Sequence, residues 1–219
     1  MLYLFDIDGT LVDTGGAGMR ALQEATHGVF GCSGPDLDLA GSTDLGIVAH
    51  IHDHFGIVPQ RGQIEEFFEI YQLRLLWNLA CGNFPGRILE GVAEVLEALA
   101  GRPHATLGLL TGNTAAGAAA KLRHFKLDSY FAFGAYGSDH ADRNQLGPIA
   151  LARAAAHAGR AFTPAETLVI GDTPKDIACA RALGARCLAV ATGQFSAASL
   201  SAHGADLVVD TLDEALAWL

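Results

Sequence analysis

Short apolar runs alternate with helix-like stretches along most of this 219-residue chain. Strands separated by helices are typical of βα units, in which the strands pair in parallel. The alternation therefore predicts an α/β fold with a parallel sheet. The predicted strands cover 1–5, 106–110, 130–136, 167–170, 187–190 and 206–209, and the predicted helices between and after them cover 115–125, 147–158, 173–183 and 212–219.

Residues 15–84 break the alternation, because they contain no convincing strand. Their apolar spacing predicts three helices, at 17–29, 43–55 and 63–79. Ser42 or Thr43 would cap the second helix, and Asp44 would lie in its first turn. Glycine-rich linkers at 13–16 and 82–86 could act as hinges. We therefore expect two domains: a core of 1–14 and 86–219, and a helical domain of 15–85 that covers the strand ends.

Composition restricts the class of partner. The formal charge is −10 and the isoelectric point is near 5.2, and without a basic stripe we expect no nucleic-acid partner. Four cysteines occur without a C-x-x-C pair, which indicates reduced thiols of a cytoplasmic protein. We expect neither a secretion signal nor a membrane span, and no membrane partner. Both a monomer and a homodimer remain open.

Two carboxylates follow the first predicted strand, in the segment Asp6-Ile7-Asp8-Gly9-Thr10. Residues two apart in an extended backbone point to the same side, so Asp6 and Asp8 would be presented together. Like charges at one site are costly unless a cation or a shared proton offsets them. An Asp-rich turn after a strand is the alternative explanation.

Further polar motifs also follow predicted strands. The segment Thr111-Gly112-Asn113 begins a helix, and a helix N-terminus is an anion-binding position. Asp172 and Asp176 follow another strand, and Arg143 precedes the helix at 147–158. Ligands bind beyond the carboxyl ends of strands in open α/β sheets, so we expect these groups to converge. Several carboxylates beside an anion site favour a hard cation such as Mg²⁺.

Taken in this order, the motifs resemble those of the haloacid dehalogenase superfamily, specifically its phosphatases with a helical cap inserted after the first motif. The resemblance covers the whole chain, with the cap at 15–84. It implies a Rossmann-like core, an obligatory Mg²⁺ ion and a two-step phosphoryl transfer from a small-molecule phosphate ester. The segment Gly41-Ser-Thr-Asp44 is similar to a cap segment of phosphoglycolate phosphatase-like members, so a phosphoglycolate-like or sugar phosphate is the implied substrate.

The resemblance also implies a role for each motif residue. Asp6 would be the nucleophile and a metal ligand. Asp8 would protonate the leaving oxygen and then activate the hydrolytic water, while its backbone carbonyl binds the metal. Asp172 and Asp176 would complete the metal site. The implied substrate-binding residues are Gly9, Thr10, Thr111, Gly112, Asn113 and Arg143. For Thr111 and Arg143 the resemblance also implies a catalytic role.

The chain departs from the family pattern at one basic position. The family usually places a lysine between the second and last motifs, but this chain has none between Lys126 and Lys175. Arg143 has a plausible spacing, and its planar fork could hold a phosphoryl oxygen. The alternative is a surface arginine in a polar loop. Lys175 lies within the last motif and is expected to face solvent.

Other activities of the same fold fit the residues less well. Haloacid hydrolysis needs neither Asp8 nor Mg²⁺, and phosphonate cleavage uses a cap lysine that 12–84 lacks. A phosphosugar mutase remains an alternative because it forms the same aspartyl-phosphate, although the cap has no lysine for a second phosphate. A non-catalytic binding protein of this fold would be expected to lose Asp6, Asp8 or Asp172, and all three are present.

Overall fold

Strands and helices alternate along the chain in a computed structural model that describes all 219 residues. The strands are β1 (Leu2–Phe5), β2 (Val12–Asp13), β3 (Arg87–Ile88), β4 (Thr106–Thr111), β5 (Gly134–Tyr136), β6 (Thr167–Gly171), β7 (Arg186–Val190) and β8 (Leu207–Val209). The helices are α1 (Ala17–Phe30), α2 (Asp44–His54), α3 (Arg61–Ala80), α4 (Val92–Ala100), α5 (Ala115–His124), α6 (Leu146–Ala158), α7 (Pro174–Leu183) and α8 (Ala197–Ala202).

Six of the strands form one parallel sheet in the order β5-β4-β1-β6-β7-β8. Strand β1 lies at the centre, where Leu2 is in register with Thr106 of β4 and with Thr167 of β6. The chain extends from β1 through β4 to β5, and then continues on the other side of β1. Strand order therefore reverses at β1, which is where ligands bind in sheets of this type.

Helices cover both faces of the sheet, as the apolar strands require. Leu2 and Leu4 of β1 pack into a buried cluster with residues of α6 and α7. Tyr3 and Phe5 point to the opposite face and pack with residues of α4 and α5. Parallel strands that are buried on both faces are apolar throughout rather than alternating, and all four residues of β1 are buried. The predicted parallel α/β core is confirmed.

Several element boundaries differ from the predictions. The strand predicted at 130–136 is only three residues long, because residues Asp128–Tyr130 form a 3-10 turn before it. The helix predicted at 212–219 is a 3-10 turn at Leu212–Ala215. Helix α8 was not predicted, because its six residues are too few to show a helical period in the sequence. Helix α4 was missed although Val92, Val95, Leu96 and Leu99 have helical spacing and are buried.

Helices α1, α2 and α3 share a hydrophobic cluster separate from the two that pack on the sheet. Thr43 is the N-cap of α2, and its side chain accepts a hydrogen bond from the backbone nitrogen of Gly46, as predicted. The segments that lead into and out of these helices pair with each other, since Val12 of β2 lies opposite Ile88 of β3.

None of the helices combines the length and the apolar composition that crossing a membrane requires. The four cysteines are free thiols: Cys179 and Cys187 are buried, Cys81 is partly buried and Cys32 is exposed.

Candidate active site

A cavity of about 560 Å³ lies over the carboxyl ends of the central strands, beneath α1 and α2. Its polar wall comes from the sheet side and includes most of the predicted site residues. They are Asp6, Asp8, Gly9, Gly112, Asn113, Arg143 and Asp172. Thr10, Thr111 and Asp176 are fully buried and do not line the cavity. The helical side contributes Met19, Leu22, Ile47 and Tyr71.

Asp6 is held at the end of the central strand. Its backbone nitrogen donates to the carbonyl of Ile170 (2.9 Å), which extends the pairing of β1 with β6 by one residue. Its Oδ1 accepts a hydrogen bond from the backbone nitrogen of Ile7 (2.7 Å). The side chain is therefore fixed by the strand itself, and only 5% of the residue is exposed.

Three buried carboxylates and one arginine form what we call the Arg143 cluster: Asp6, Asp172, Asp176 and Arg143. One oxygen from each carboxylate lies within 4.8 Å of the others. The Nη2 of Arg143 is 3.1 Å from Asp6 Oδ2 and also donates to Asp176 Oδ1. The same nitrogen donates to the carbonyl of Leu110 (3.2 Å). Arg143 is thus a buried partner of the carboxylates, not an arginine on the surface.

The Arg143 cluster carries more negative charge than its arginine offsets. Burial raises the pKa of Asp6 to about 6, although the nearby charge of Arg143 lowers it. Burial also raises the pKa of Asp172 to about 8, and repulsion from Asp176 and Asp6 adds to this increase. Buried like charges favour either protonation or a bound cation. The donor set consists of oxygens, which are the ligands of hard divalent cations.

The carboxylates of the cluster differ in how many hydrogen bonds they receive. Asp176 accepts from the backbone nitrogen and the Oγ1 of Thr173 (3.0 and 2.7 Å) in addition to Arg143. Asp172 accepts one side-chain hydrogen bond, from Thr10 Oγ1 to Oδ1 (3.1 Å). Asp172 therefore retains more free coordination capacity than Asp176, which already accepts hydrogen bonds from Arg143 and from the start of α7. The residues fit a divalent cation.

Gly9 allows the turn after Asp8 to approach the end of β6. Its φ of +78° lies in the left-handed region, which L side chains rarely adopt. A Cβ atom at this position would also overlap the carboxylate of Asp172. Glycine is therefore required here on two grounds, and the first motif can pack directly against the last one.

A second charged group, which we call the Lys121 cluster, lies on the cavity wall and contains Asp8, Asn113 and Lys121. The Nζ of Lys121 donates to both carboxylate oxygens of Asp8 (2.8 and 2.6 Å) and to Asn113 Oδ1 (2.6 Å). Asn113 Nδ2 donates to Asp8 Oδ2 and to Thr111 Oγ1, both at 2.8 Å. The side chain of Asp8 is 44% exposed, whereas that of Lys121 is 4% exposed.

The N-terminus of α5 already receives a carboxylate from the helical region. Asp44 Oδ2 accepts a hydrogen bond from the backbone nitrogen of Thr114 (2.7 Å), and the backbone nitrogen of Asp44 donates to the carbonyl of Gly112 (2.6 Å). Burial raises the pKa of Asp44 to about 6, and Lys121 opposes this increase. The sequence predicts that this helix end binds a phosphoryl group, and in the structure the carboxylate at the backbone nitrogen of Thr114 is that of Asp44.

Lys121 and Asp44 are the site residues that the sequence interpretation missed. A lysine in the second turn of a helix usually indicates a solvent-facing side chain. The six residues before Lys121 are alanines and one glycine, and such a small surface lets the neighbouring helix α3 pack close to α5. Asp44 was recognised only as a first-turn residue of α2, because its partner Thr114 is 70 residues away.

Several known proteins are similar to this chain over most of its length. A family model described as haloacid dehalogenase-like hydrolase matches residues 1–184. Phosphoglycolate phosphatase 1 of Pseudomonas aeruginosa is 26% identical over 232 residues, covering 98% of this chain and 78% of that protein. A 5'-nucleotidase of the same organism is 29% identical over 203 residues, covering 91% and 86%.

A solved structure shares the fold along nearly the whole chain. CbbY of Rhodobacter sphaeroides, in complex with phosphate, is similar with a TM-score of 0.73 at 20% identity. The match covers 98% of this chain and 95% of that one. The match to the family model spans both the first and the last carboxylate motifs, Asp6 and Asp176. The chain belongs to the haloacid dehalogenase-like hydrolase family.

Proposed function

We propose that this chain is a Mg²⁺-dependent phosphatase that hydrolyses a small-molecule phosphate monoester through a phosphoryl group carried on Asp6. One observation carries the proposal. Two carboxylates only two residues apart lie in different surroundings: Asp6 is buried in the Arg143 cluster, whereas Asp8 is half-exposed in the cavity. Burial alone would favour the neutral form of Asp6, so Arg143 and a bound cation would keep this nucleophile ionised, whereas the accessible Asp8 can exchange a proton with substrate and water.

The two carboxylates would divide the reaction between them. In the first step a carboxylate oxygen of Asp6 attacks phosphorus, the ester P–O bond breaks, and Asp8 donates its proton to the leaving oxygen. In the second step Asp8 takes a proton from water, the water oxygen attacks phosphorus, and the bond between phosphorus and Asp6 breaks. Inorganic phosphate is released, and both carboxylates return to their starting states.

Asp6, Asp172, Asp176 and the backbone carbonyl of Asp8 would hold the Mg²⁺ ion. The ion supplies positive charge that offsets the repulsion between a phosphate ester and the buried carboxylates. The raised pKa of Asp172 supports this assignment, since burial and the charges of Asp176 and Asp6 raise it by more than Arg143 lowers it. Asp176 would contribute mainly by orienting Arg143, because both of its oxygens already accept hydrogen bonds.

The phosphoryl oxygens would be bound by residues around Asp6. Arg143 lines the cavity beside Asp6, so its guanidinium would donate to a phosphoryl oxygen; its buried Nε has no hydrogen-bond partner within the chain. The remaining members of the proposed phosphoryl site are Gly9, Thr10, Thr111, Gly112 and Asn113. Burial raises the pKa of Asp6, and Arg143 and Thr111 oppose this increase, which favours the ionised nucleophile.

Residues 15–85 would act as a cap that closes over the cavity, on the core of 1–14 and 86–219. The cap lines the cavity with apolar side chains and with Asp38, Ser42 and Asp44, and it supplies no lysine or arginine. A phosphosugar mutase must hold a second phosphate, so this lining favours the phosphatase. The substrate would carry one phosphate on a small organic body, as in a phosphoglycolate-like compound or a sugar phosphate in the cytoplasm. The similar phosphoglycolate phosphatase and 5'-nucleotidase support a phosphate monoester.

The experiment that tests this function is phosphate release from p-nitrophenyl phosphate and from a panel of small phosphate esters, with and without Mg²⁺. We expect turnover only with the divalent cation, and higher kcat/KM for one ester class than for the others. Absence of turnover with every ester, at every divalent cation tested, would contradict the proposal.

A further inference from the structure

Lys121 has no role in the reaction as described above, yet its position is unusual for a lysine. Only 4% of its side chain is exposed, and lysines are almost never fully buried unless they are paired. Its ammonium group has three hydrogens, and it makes three hydrogen bonds, to Asp8 Oδ1, Asp8 Oδ2 and Asn113 Oδ1. Every donor of the buried group is therefore used within the cavity wall.

Helix geometry explains how Lys121 reaches this place. Side chains on an α-helix point back toward its N-terminus, so the ammonium group of Lys121 approaches the first turn of α5, where Asn113 and Asp8 lie. Helix α1 passes beside the ammonium group, since a Cβ at Gly18 would lie in ordinary van der Waals contact with Lys121 Nζ, at 3.6 Å. The alanines and the glycine that precede Lys121 in α5 leave space for its long side chain along the helix.

Lys121 determines the orientation of both of its partners. A lysine has only donors, so the side-chain oxygen of Asn113 must face it. The amide nitrogen of Asn113 then faces Asp8 Oδ2 and Thr111 Oγ1. Asp8 is consequently held from two directions, by the ammonium group and by the amide. The other cation that lines the cavity, Arg143, is bound to Asp6 and Asp176.

We propose that Lys121 is a positioning residue that holds Asp8 and Asn113 in the geometry for proton transfer to the leaving group. This inference rests on the proposed phosphatase function, in which Asp8 protonates the leaving oxygen. Loss of Lys121 would free the Asp8 carboxylate and the Asn113 amide to rotate, while the Arg143 cluster that contains the nucleophile would be unaffected. The defect should therefore depend on how much proton donation a substrate needs.

The test compares substituted phenyl phosphates, from p-nitrophenyl phosphate to unsubstituted phenyl phosphate, with the Mg²⁺-loaded protein. A poor leaving group depends on general-acid catalysis more than a good one does. For Lys121→Met we expect kcat/KM to fall about tenfold more for phenyl phosphate than for p-nitrophenyl phosphate. Lys121→Arg should recover part of the kcat/KM that Lys121→Met loses for phenyl phosphate. Lys126→Met, at an exposed lysine nearby, should keep the wild-type ratio of kcat/KM between the two substrates.

A double-mutant cycle with Asp8→Asn gives an independent measurement. If Lys121 acts through Asp8, adding Lys121→Met to Asp8→Asn should not change the leaving-group dependence further. Each comparison is a ratio between two substrates for one protein, so the fraction of folded protein cancels. Lys121→Gln, which keeps a donor without the charge, replaces the methionine variant if the latter does not fold.

Three results would overturn the inference. If Lys121→Met lowers kcat/KM by the same factor for all phenyl phosphates, the leaving-group dependence is unchanged and the role of Lys121 is merely structural. Additive effects in the cycle would show that Lys121 does not act through Asp8. If the wild-type protein hydrolyses none of the esters, the proposed function itself fails and the inference fails with it. The first two results leave the proposed function intact, so the failures are distinguishable.

Discussion

The Arg143 cluster and the Lys121 cluster each contain a buried cation, but they surround it differently. Arg143 lies among three carboxylates that are all nearly inaccessible to solvent. Lys121 faces the half-exposed carboxylate of Asp8 and a neutral amide, which satisfy all of its donors. The excess buried negative charge of the Arg143 cluster favours binding of a further cation. The charges of Lys121 and Asp8 offset each other beside solvent, so that pair does not need one. The charge balance thus separates a metal and nucleophile site from a proton-transfer site.

Among the substitutions that distinguish the two clusters, we expect the largest decrease in activity from Asp6→Asn in the Arg143 cluster. The amide has almost the same shape and can keep the hydrogen bond from Ile7, but it cannot attack phosphorus. We expect kcat to fall by at least about 10⁴-fold with little change in the thermal unfolding midpoint. Asp53→Asn, at an exposed aspartate of α2, is the matched control. Substantial residual turnover in Asp6→Asn would contradict a covalent role for Asp6.

Removal of the divalent cation tests the excess charge of the Arg143 cluster. We expect a chelator to abolish turnover and Mg²⁺ to restore it. Without substrate, saturating Mg²⁺ at about 100 times its Kd should stabilise the wild-type fold by about 2.7 kcal/mol. Calorimetric unfolding measures this shift. Asp172→Asn should lose the shift, and an equal Mg²⁺ effect in that variant would contradict the assignment of Asp172.

Arg143→Ala tests whether the arginine serves both the carboxylates and the substrate. It leaves Asp6 and Asp176 without their cation, and unpaired buried charges cost about 3–5 kcal/mol. We expect lower stability together with at least a tenfold decrease in kcat/KM, or about 1.4 kcal/mol of transition-state stabilisation. Arg160→Ala, at an exposed ion pair, is the control. A decrease smaller than tenfold would exclude Arg143 as the phosphoryl-binding group.

The smallest effect concerns Asp44, which approaches the Lys121 cluster from the helical region. Its pKa is about 6 in the folded protein, against 3.8 for an unperturbed aspartate, so the folded state binds this proton more tightly. The resulting stabilisation is complete below pH 3.8 and is lost as the pH rises through 6, by up to about 3 kcal/mol. The free energy of unfolding of Asp44→Asn should therefore decrease less than that of the wild type as the pH rises between these values.

Urea unfolding of the wild type and of Asp44→Asn at pH 4.5 and 7.5 measures that difference. Asp6 and Asp172 contribute to both proteins equally, so the comparison isolates Asp44. A constant difference between the two proteins across this range would show that Asp44 titrates normally.

The parts of the molecule that were predictable from the sequence are those set by local pattern. Apolar runs predicted the six strands of the sheet, and the rule for strand ends predicted that Asp6, Asp172 and Asn113 converge. Lys121 was not predictable, because its burial depends on how α1 and α3 lie against α5 in the folded chain. Arg143 was identified by spacing alone, and its contact with Asp176 follows from the folding of two distant segments.

In the proposed mechanism Asp6 carries the phosphoryl group while Asp8 moves the proton. The most direct measurement uses Asp8→Asn with p-nitrophenyl phosphate, whose leaving group needs little protonation. Because the second step lacks its base, a phosphoryl group should accumulate on the protein, and mass spectrometry of acid-quenched digests should locate it on Asp6. Phosphate release without any phosphorylated peptide, or a phosphoryl group on another residue, would contradict the claim.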